Sequence, residues 1–111
     1  MEHNTPSEIS DNTDDVSSQV DLLLISGEEA SRSGDAKSAL ASFNKAISLD
    51  PSSDMAWFNR GVLLEAQQDA RGARQAFQIC LDVNPNHAPA TANLCILLCL
   101  LYTSDAADES T

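Results

Sequence analysis

Three cysteines and two histidines are the residues of this chain best suited to chemistry: Cys80, Cys95, Cys99, His3 and His87. Cys95 and Cys99 stand one helical turn apart, a spacing that presents two thiolates on one face to a metal ion. A zinc site needs four ligands, however, and the imidazoles that would complete the set are remote, His3 near the chain start and His87 between two patterned segments. No metal site is expected, and buried structural thiols are the expected state of the cysteines. Carboxylates offer no better site. Glu28 and Glu29 are adjacent, which on a helix turns them to different sides and disfavours a general acid/base pair. There is no glycine-rich phosphate loop, no G-x-S-x-G turn and no histidine beside a nucleophile in a patterned segment. The expectation is a protein that is not an enzyme and carries no cofactor.

Charge narrows the partners. The chain carries 17 acidic and 6 basic residues, a net charge of −11. Residues 20–53 hold three bases and five acids and residues 54–87 three and four, so −8 of the charge lies outside them. Nucleic-acid binding requires a basic stripe to neutralise phosphates, and Arg60, Arg71 and Arg74 are too few and too interleaved to form one. Residues 1–19 contain five acids, no Lys or Arg, and only Ile9 and Val16 as larger aliphatics after Met1, a composition expected to remain disordered. That segment lacks the basic start and apolar centre of a secretory signal. The longest apolar run, 94–102, is about half a membrane span. A cytoplasmic protein without membrane contact is therefore expected.

The elements that position these residues follow from an internal repeat. A shift of 34 places brings Gly27 onto Gly61, Asp35 onto Asp69, Ala39 onto Ala73, Phe43 onto Phe77 and Pro51 onto Pro85. Helix-turn-helix units of this period cannot bury their apolar faces singly and must stack. Gly27 and Gly61 fall mid-helix, where Gly costs about 1 kcal/mol relative to Ala, so close helix contact must offset the loss. Ala39 and Ala73 are expected to supply the facing small surface, and Phe43 and Phe77 to fill the gap toward the next repeat. Asp35 and Asp69 are placed to cap the second helix of each pair, and Pro51 and Pro85 to stop it near Asp50 and Asn84. The resulting expectation is all-α, with helices over 21–33, 36–49, 54–67, 70–83 and 88–101.

The repeating residues resemble the tetratricopeptide repeat. In 54–87 the family's Trp-x2-Leu-Gly-x2-Tyr element reads Trp57, Arg60, Gly61 and Leu64, with Arg60 the departure; Ala73, Phe77 and Pro85 complete the pattern. Residues 20–53 are a more divergent copy with Leu23 in the Trp place, and a partial third copy, 88–98, has Thr91, Leu94 and Cys95 in the Trp, Leu and Gly places. The resemblance implies a helix-turn-helix solenoid of two full repeats plus the first helix of a third. Beyond it, residues 99–109, read CLLYTSDAADE, resemble the translation of a transposase-type sequencing-library adapter. Residues 99–111 are accordingly expected to be a non-native tail.

What the family resemblance implies for function is a protein-interaction scaffold that holds a peptide or partner surface in a concave groove lined by the first helix of each pair. The positions matching that groove include Leu24, Glu28, Phe58, Asn59, Val62, Asn93 and Ile96. Asn59 and Asn93 are suited to the backbone of an extended peptide, and the apolar members to its side chains. Family members that clamp an acidic C-terminus use Lys, Asn and Arg, and the matching places here hold Leu24, Glu28, Asn59, Pro89 and Asn93, of which only Asn59 fits. An alternative is the N-terminal docking segment of a larger, truncated enzyme or regulator. Self-association through the unpaired third-repeat helix is a further expectation.

Overall fold

Helix termination and restart at 34-residue intervals dominate the structure. A computed structural model describes the backbone of residues 4–110 and the side chains of residues 16–101. The element order is α1 (Asn4–Arg32), α2 (Ala36–Leu49), α3 (Asp54–Ala66), α4 (Ala70–Val83) and α5 (Ala88–Ser110), with no strand among the described residues. The chain divides into two units, Met1–Pro51 and Ser52–Thr111.

In the first unit α1 packs against α2. Val20, Ala39, Phe43 and Ala46 form its buried apolar core. A Cβ built on Gly27 would fall 2.4 Å from Cε1 of Phe43, so the Phe43 ring occupies the space that glycine leaves open. The phenylalanine thus packs within its own helix pair, against the glycine of the first helix. α1 ends with Gly34 at φ 88°, where the Gly34 N–H donates to Ser31 O at 3.1 Å and the Asp35 N–H to Ala30 O at 2.8 Å. That hydrogen-bond pair satisfies carbonyls the helix end would otherwise orphan. Asp35 then opens α2, accepting from the Ser38 N–H at 3.1 Å. Its hydrogen bonds with Ser38 hold the carboxyl below the usual aspartate range.

The second unit repeats the plan and extends it. α4 packs against both α3 and α5. The ring of Phe77 lies where a Cβ on Gly61 would be, 2.6 Å away. Ala56, Leu63, Leu64, Ala73, Ala76, Phe77, Cys80, Ala90, Leu94 and Leu97 are buried. Ser53 caps α3 by accepting from the Ala56 N–H at 3.2 Å, and Asp69 caps α4 by accepting from the Gly72 N–H at 3.0 Å. Asn84, just past the end of α4, donates through Nδ2 to Asp54 at the start of α3, 2.7 Å away. The helices before Pro51 and Pro85 stop at Leu49 and Val83, as the rule for residues preceding proline requires.

Two helices run further than expected. α1 begins at Asn4 rather than near residue 21. Extending a helix already anchored by packing costs far less than nucleating one, and Pro6 falls in the first turn, where its missing N–H is no loss. α5 continues to Ser110 rather than residue 101, passing through the expected site of a turn, since no Gly or Pro follows Pro89 to stop it. Residues 1–3 and 111, and the side chains of 4–15 and 102–110, lie outside what is described; they include His3 and most of the side chains of the segments expected to be disordered or non-native.

Candidate functional site

The first helix of each pair carries the residues expected to meet a partner. On α1, Leu24 is half-buried and Glu28 exposed one turn later. On α3, Phe58 is half-buried, Asn59 is buried and Val62 exposed. On α5, Asn93 is half-buried and Ile96 exposed. Asn59 and Asn93, and likewise Val62 and Ile96, are one repeat period apart and occupy matching helix positions.

Phe58 has a second engagement. Its ring centroid lies 5.8 Å from that of Phe77 and 4.9 Å from that of His87, both in tilted geometry. Such pairs add stabilisation beyond the area they bury. His87 is buried at the start of α5: its Nδ1 accepts from the Ala90 N–H at 3.1 Å, and its Nε2 lies 3.5 Å from the Met55 sulfur. The imidazole is therefore an N-cap and a core residue at once. Sequence reasoning weighed His87 only as a metal ligand; its position three residues ahead of Ala90, at a helix start with Pro89 in the first turn, was the available signal.

Arg60, the departure from the repeat pattern, is half-buried with Cζ 6.0 Å from the Trp57 ring centroid. A guanidinium at that distance gains cation–π attraction to the indole, which offsets part of the cost of a half-buried charge in the leucine place. Its Nε is buried without a hydrogen-bond partner.

The thiols separate into two environments. Cys80 is fully buried, and desolvation, reinforced by the charge of Asp54, pushes its pKa from 9.0 up to about 11, so it is neutral and poorly nucleophilic at ordinary pH. Cys95 and Cys99 are exposed. This corrects the expectation of buried thiols for those two, which no side chain among the described residues covers as α4 covers Gly61 on α3. Among the described residues no group of three or more His, Cys, Asp or Glu is gathered as a metal site, and no helix is long and apolar enough to cross a membrane.

These repeated pairs, with a glycine on the first helix under a phenylalanine from the second, define a helical repeat protein. Two family models, each described as tetratricopeptide repeat, match residues 20–53 and 42–75. The first coincides with the α1–α2 copy, and the second starts within α2 and runs into α4. The chain belongs to the tetratricopeptide repeat family.

Among solved structures the chain is similar to the first TPR of Spaghetti (RPAP3) bound to the HSP90 peptide SRMEEVD. The TM-score is 0.70 at 24% identity over 75% of this chain and 66% of that one, just under two thirds of its length. It is also similar to a mutant O-GlcNAc transferase of Thermobaculum terrenum, with a TM-score of 0.70 at 22% identity over 75% of this chain and 16% of the transferase. At these identities the likeness is one of fold. No curated protein matches the chain in sequence.

Proposed function

We propose that this protein is a non-catalytic interaction scaffold that binds an extended peptide on the first-helix face of its repeats. The observation that carries the reading is the recurrence, one period apart, of an exposed aliphatic beside an amide: Val62 with Asn59 on α3 and Ile96 with Asn93 on α5. Exposed aliphatics offer side-chain contacts, and amides supply both donor and acceptor to a peptide backbone. Asn59 is only 8% exposed, which gives the aliphatics the larger share of the contact. Leu24 and Glu28 stand at the positions of the first unit that match Phe58 and Val62.

The Spaghetti structure holds a peptide ending in three acids among its last four residues. This chain lacks the bases that would neutralise such an end at Leu24, Glu28, Pro89 and Asn93, and Glu28 adds a repelling charge. The preferred ligand is therefore an apolar peptide without an acidic C-terminus. A second reading, a docking segment within a larger enzyme, takes its support from the likeness to 16% of a transferase chain. Selection from a displayed random-peptide library on the full chain, followed by titration calorimetry, tests the main reading. Val62→Glu and Ile96→Glu should each weaken the selected peptide by about 1–3 kcal/mol, and SRMEEVD should bind no more tightly than about 1 mM. Selection of acidic C-termini, or indifference to both substitutions, would overturn it.

A further inference from the structure

Met55 is 42% exposed at the start of α3, yet its sulfur lies 3.5 Å from Nε2 of the buried His87. The contact is built by the corner on which both residues stand. Asn84 donates through Nδ2 to the carboxylate of Asp54, the neighbour of Met55, and its carbonyl accepts from the His87 N–H at 3.1 Å. The ring is fixed as well. Because Nδ1 accepts from the Ala90 N–H at 3.1 Å, the imidazole proton sits on Nε2 and is directed at the sulfur.

Helix capping alone does not require this pair. One period earlier the two places hold Asp21, which is exposed, and Ser53, whose hydroxyl caps α3 without an imidazole. A thioether is a weak acceptor, so the Nε2–H gains little from it, whereas a sulfoxide oxygen is a strong one. An accessible methionine beside a fixed donor is thus poised for oxidation. A sulfur lone pair attacks one oxygen of hydrogen peroxide, the O–O bond breaks, and the proton on the transferred oxygen passes to the departing hydroxide, giving water and the sulfoxide. Sulfur loses two electrons and the peroxide gains them. The new oxygen, on the flank of a sulfur already beside Nε2, comes within reach of the Nε2–H.

We propose that Met55 is a site of reversible oxidation by peroxides, that His87 holds the oxidised side chain through its Nε2–H, and that the change weakens peptide binding on α3. The last clause rests on the proposed peptide-binding face. Met55, Asn59 and Val62 follow one another at spacings of four and three residues, a single stripe of α3, and Met55 and Val62 are 42% and 40% exposed. Oxidation replaces an apolar contact at one end of that stripe with a polar, chiral group.

The test treats the full chain with hydrogen peroxide and then with dithiothreitol, which reduces disulfides and sulfenic acids but leaves sulfoxides. Mass spectrometry of the proteolytic peptide that holds Met55 reads the added oxygen, and the two stereospecific sulfoxide reductases count its epimers. One epimer should exceed the other by about twofold to tenfold, the worth of one hydrogen bond to the developing S–O. His87→Ser, which keeps a capping hydroxyl as Ser53 does, should bring the epimers near equality with the helical circular dichroism preserved. The peptide selected on the unmodified chain should bind about tenfold more weakly after oxidation and recover on enzymatic reduction, while Met55→Leu should bind it equally before and after peroxide. Three results overturn the proposal: Met55 left intact under conditions that convert free methionine, equal epimers in the native protein, or peptide affinity unchanged by complete oxidation. Failure to select any peptide would sink the peptide-binding reading and the last clause with it, and the mass and epimer measurements would still decide the oxidation site.

Discussion

The turns after α1 and after α3 share one hydrogen-bond pattern and differ in the residue at its tightest point. Asp35 N–H to Ala30 O and Asp69 N–H to Leu64 O are both 2.8 Å, yet the left-handed position is Gly34 in one and Gln68, at φ 67°, in the other. The aromatic packing runs the opposite way. Phe77 meets both Gly61 and the Phe58 ring, whereas the position matching Phe58 in the first unit is Leu24. One helix pair thus has the relaxed turn and the other the larger aromatic core. A strained turn is tolerated where packing over-determines the backbone.

The largest effect should come from removing the rings. Phe77→Ala should cost about 3–5 kcal/mol, and Phe43→Ala less, by the ~0.5–1.5 kcal/mol that an aromatic pair adds. Denaturant-dependent amide exchange, resolved for each helix pair, checks this; equal losses would erase the distinction between the two cores.

An intermediate effect is expected at the glycines. Alanine is the better helix former by ~1 kcal/mol, but at Gly27 or Gly61 its methyl would collide with a phenylalanine ring. Gly27→Ala and Gly61→Ala should therefore each destabilise by about 1–3 kcal/mol. A rise in melting temperature for either would show that the ring yields.

The smallest effect sharpens the contrast between the turns. Gln68→Gly should stabilise the second pair by about 1 kcal/mol and Gly34→Gln destabilise the first by a similar amount, since only glycine adopts positive φ without steric cost. Opposite signs in thermal melts are the expected result, and the same sign for both would refute the strain argument.

The helix pairs, their caps and the proline stops were legible because each follows from a local rule acting on residues one period apart: Asp35 and Asp69, Pro51 and Pro85, Gly27 and Gly61. The seating of the Phe43 and Phe77 rings over Gly27 and Gly61 was not, because periodicity assigns a residue to a buried side of a helix without naming the neighbour it meets. Gln68 hid its turn for a different reason, as nothing in its chemistry favours a left-handed backbone and only the matching Gly34 points to it. For the candidate site, register located the exposed Val62 and Ile96. It did not foresee Phe58 between Phe77 and His87, or the exposure of Cys95, because burial there depends on which helix lies alongside rather than on the residue itself.

His87 has a consequence for a peptide that meets α5. The imidazole holds the helix start through the Ala90 N–H while its ring lies against Phe58 of α3. Ala90, Leu94 and Leu97 continue that attachment along the buried side. α5 is therefore rooted before a partner arrives, and its orientation is settled by folding rather than by binding. An incoming peptide loses its own conformational freedom but need not order the surface it meets, which leaves more of the contact free energy to appear as affinity.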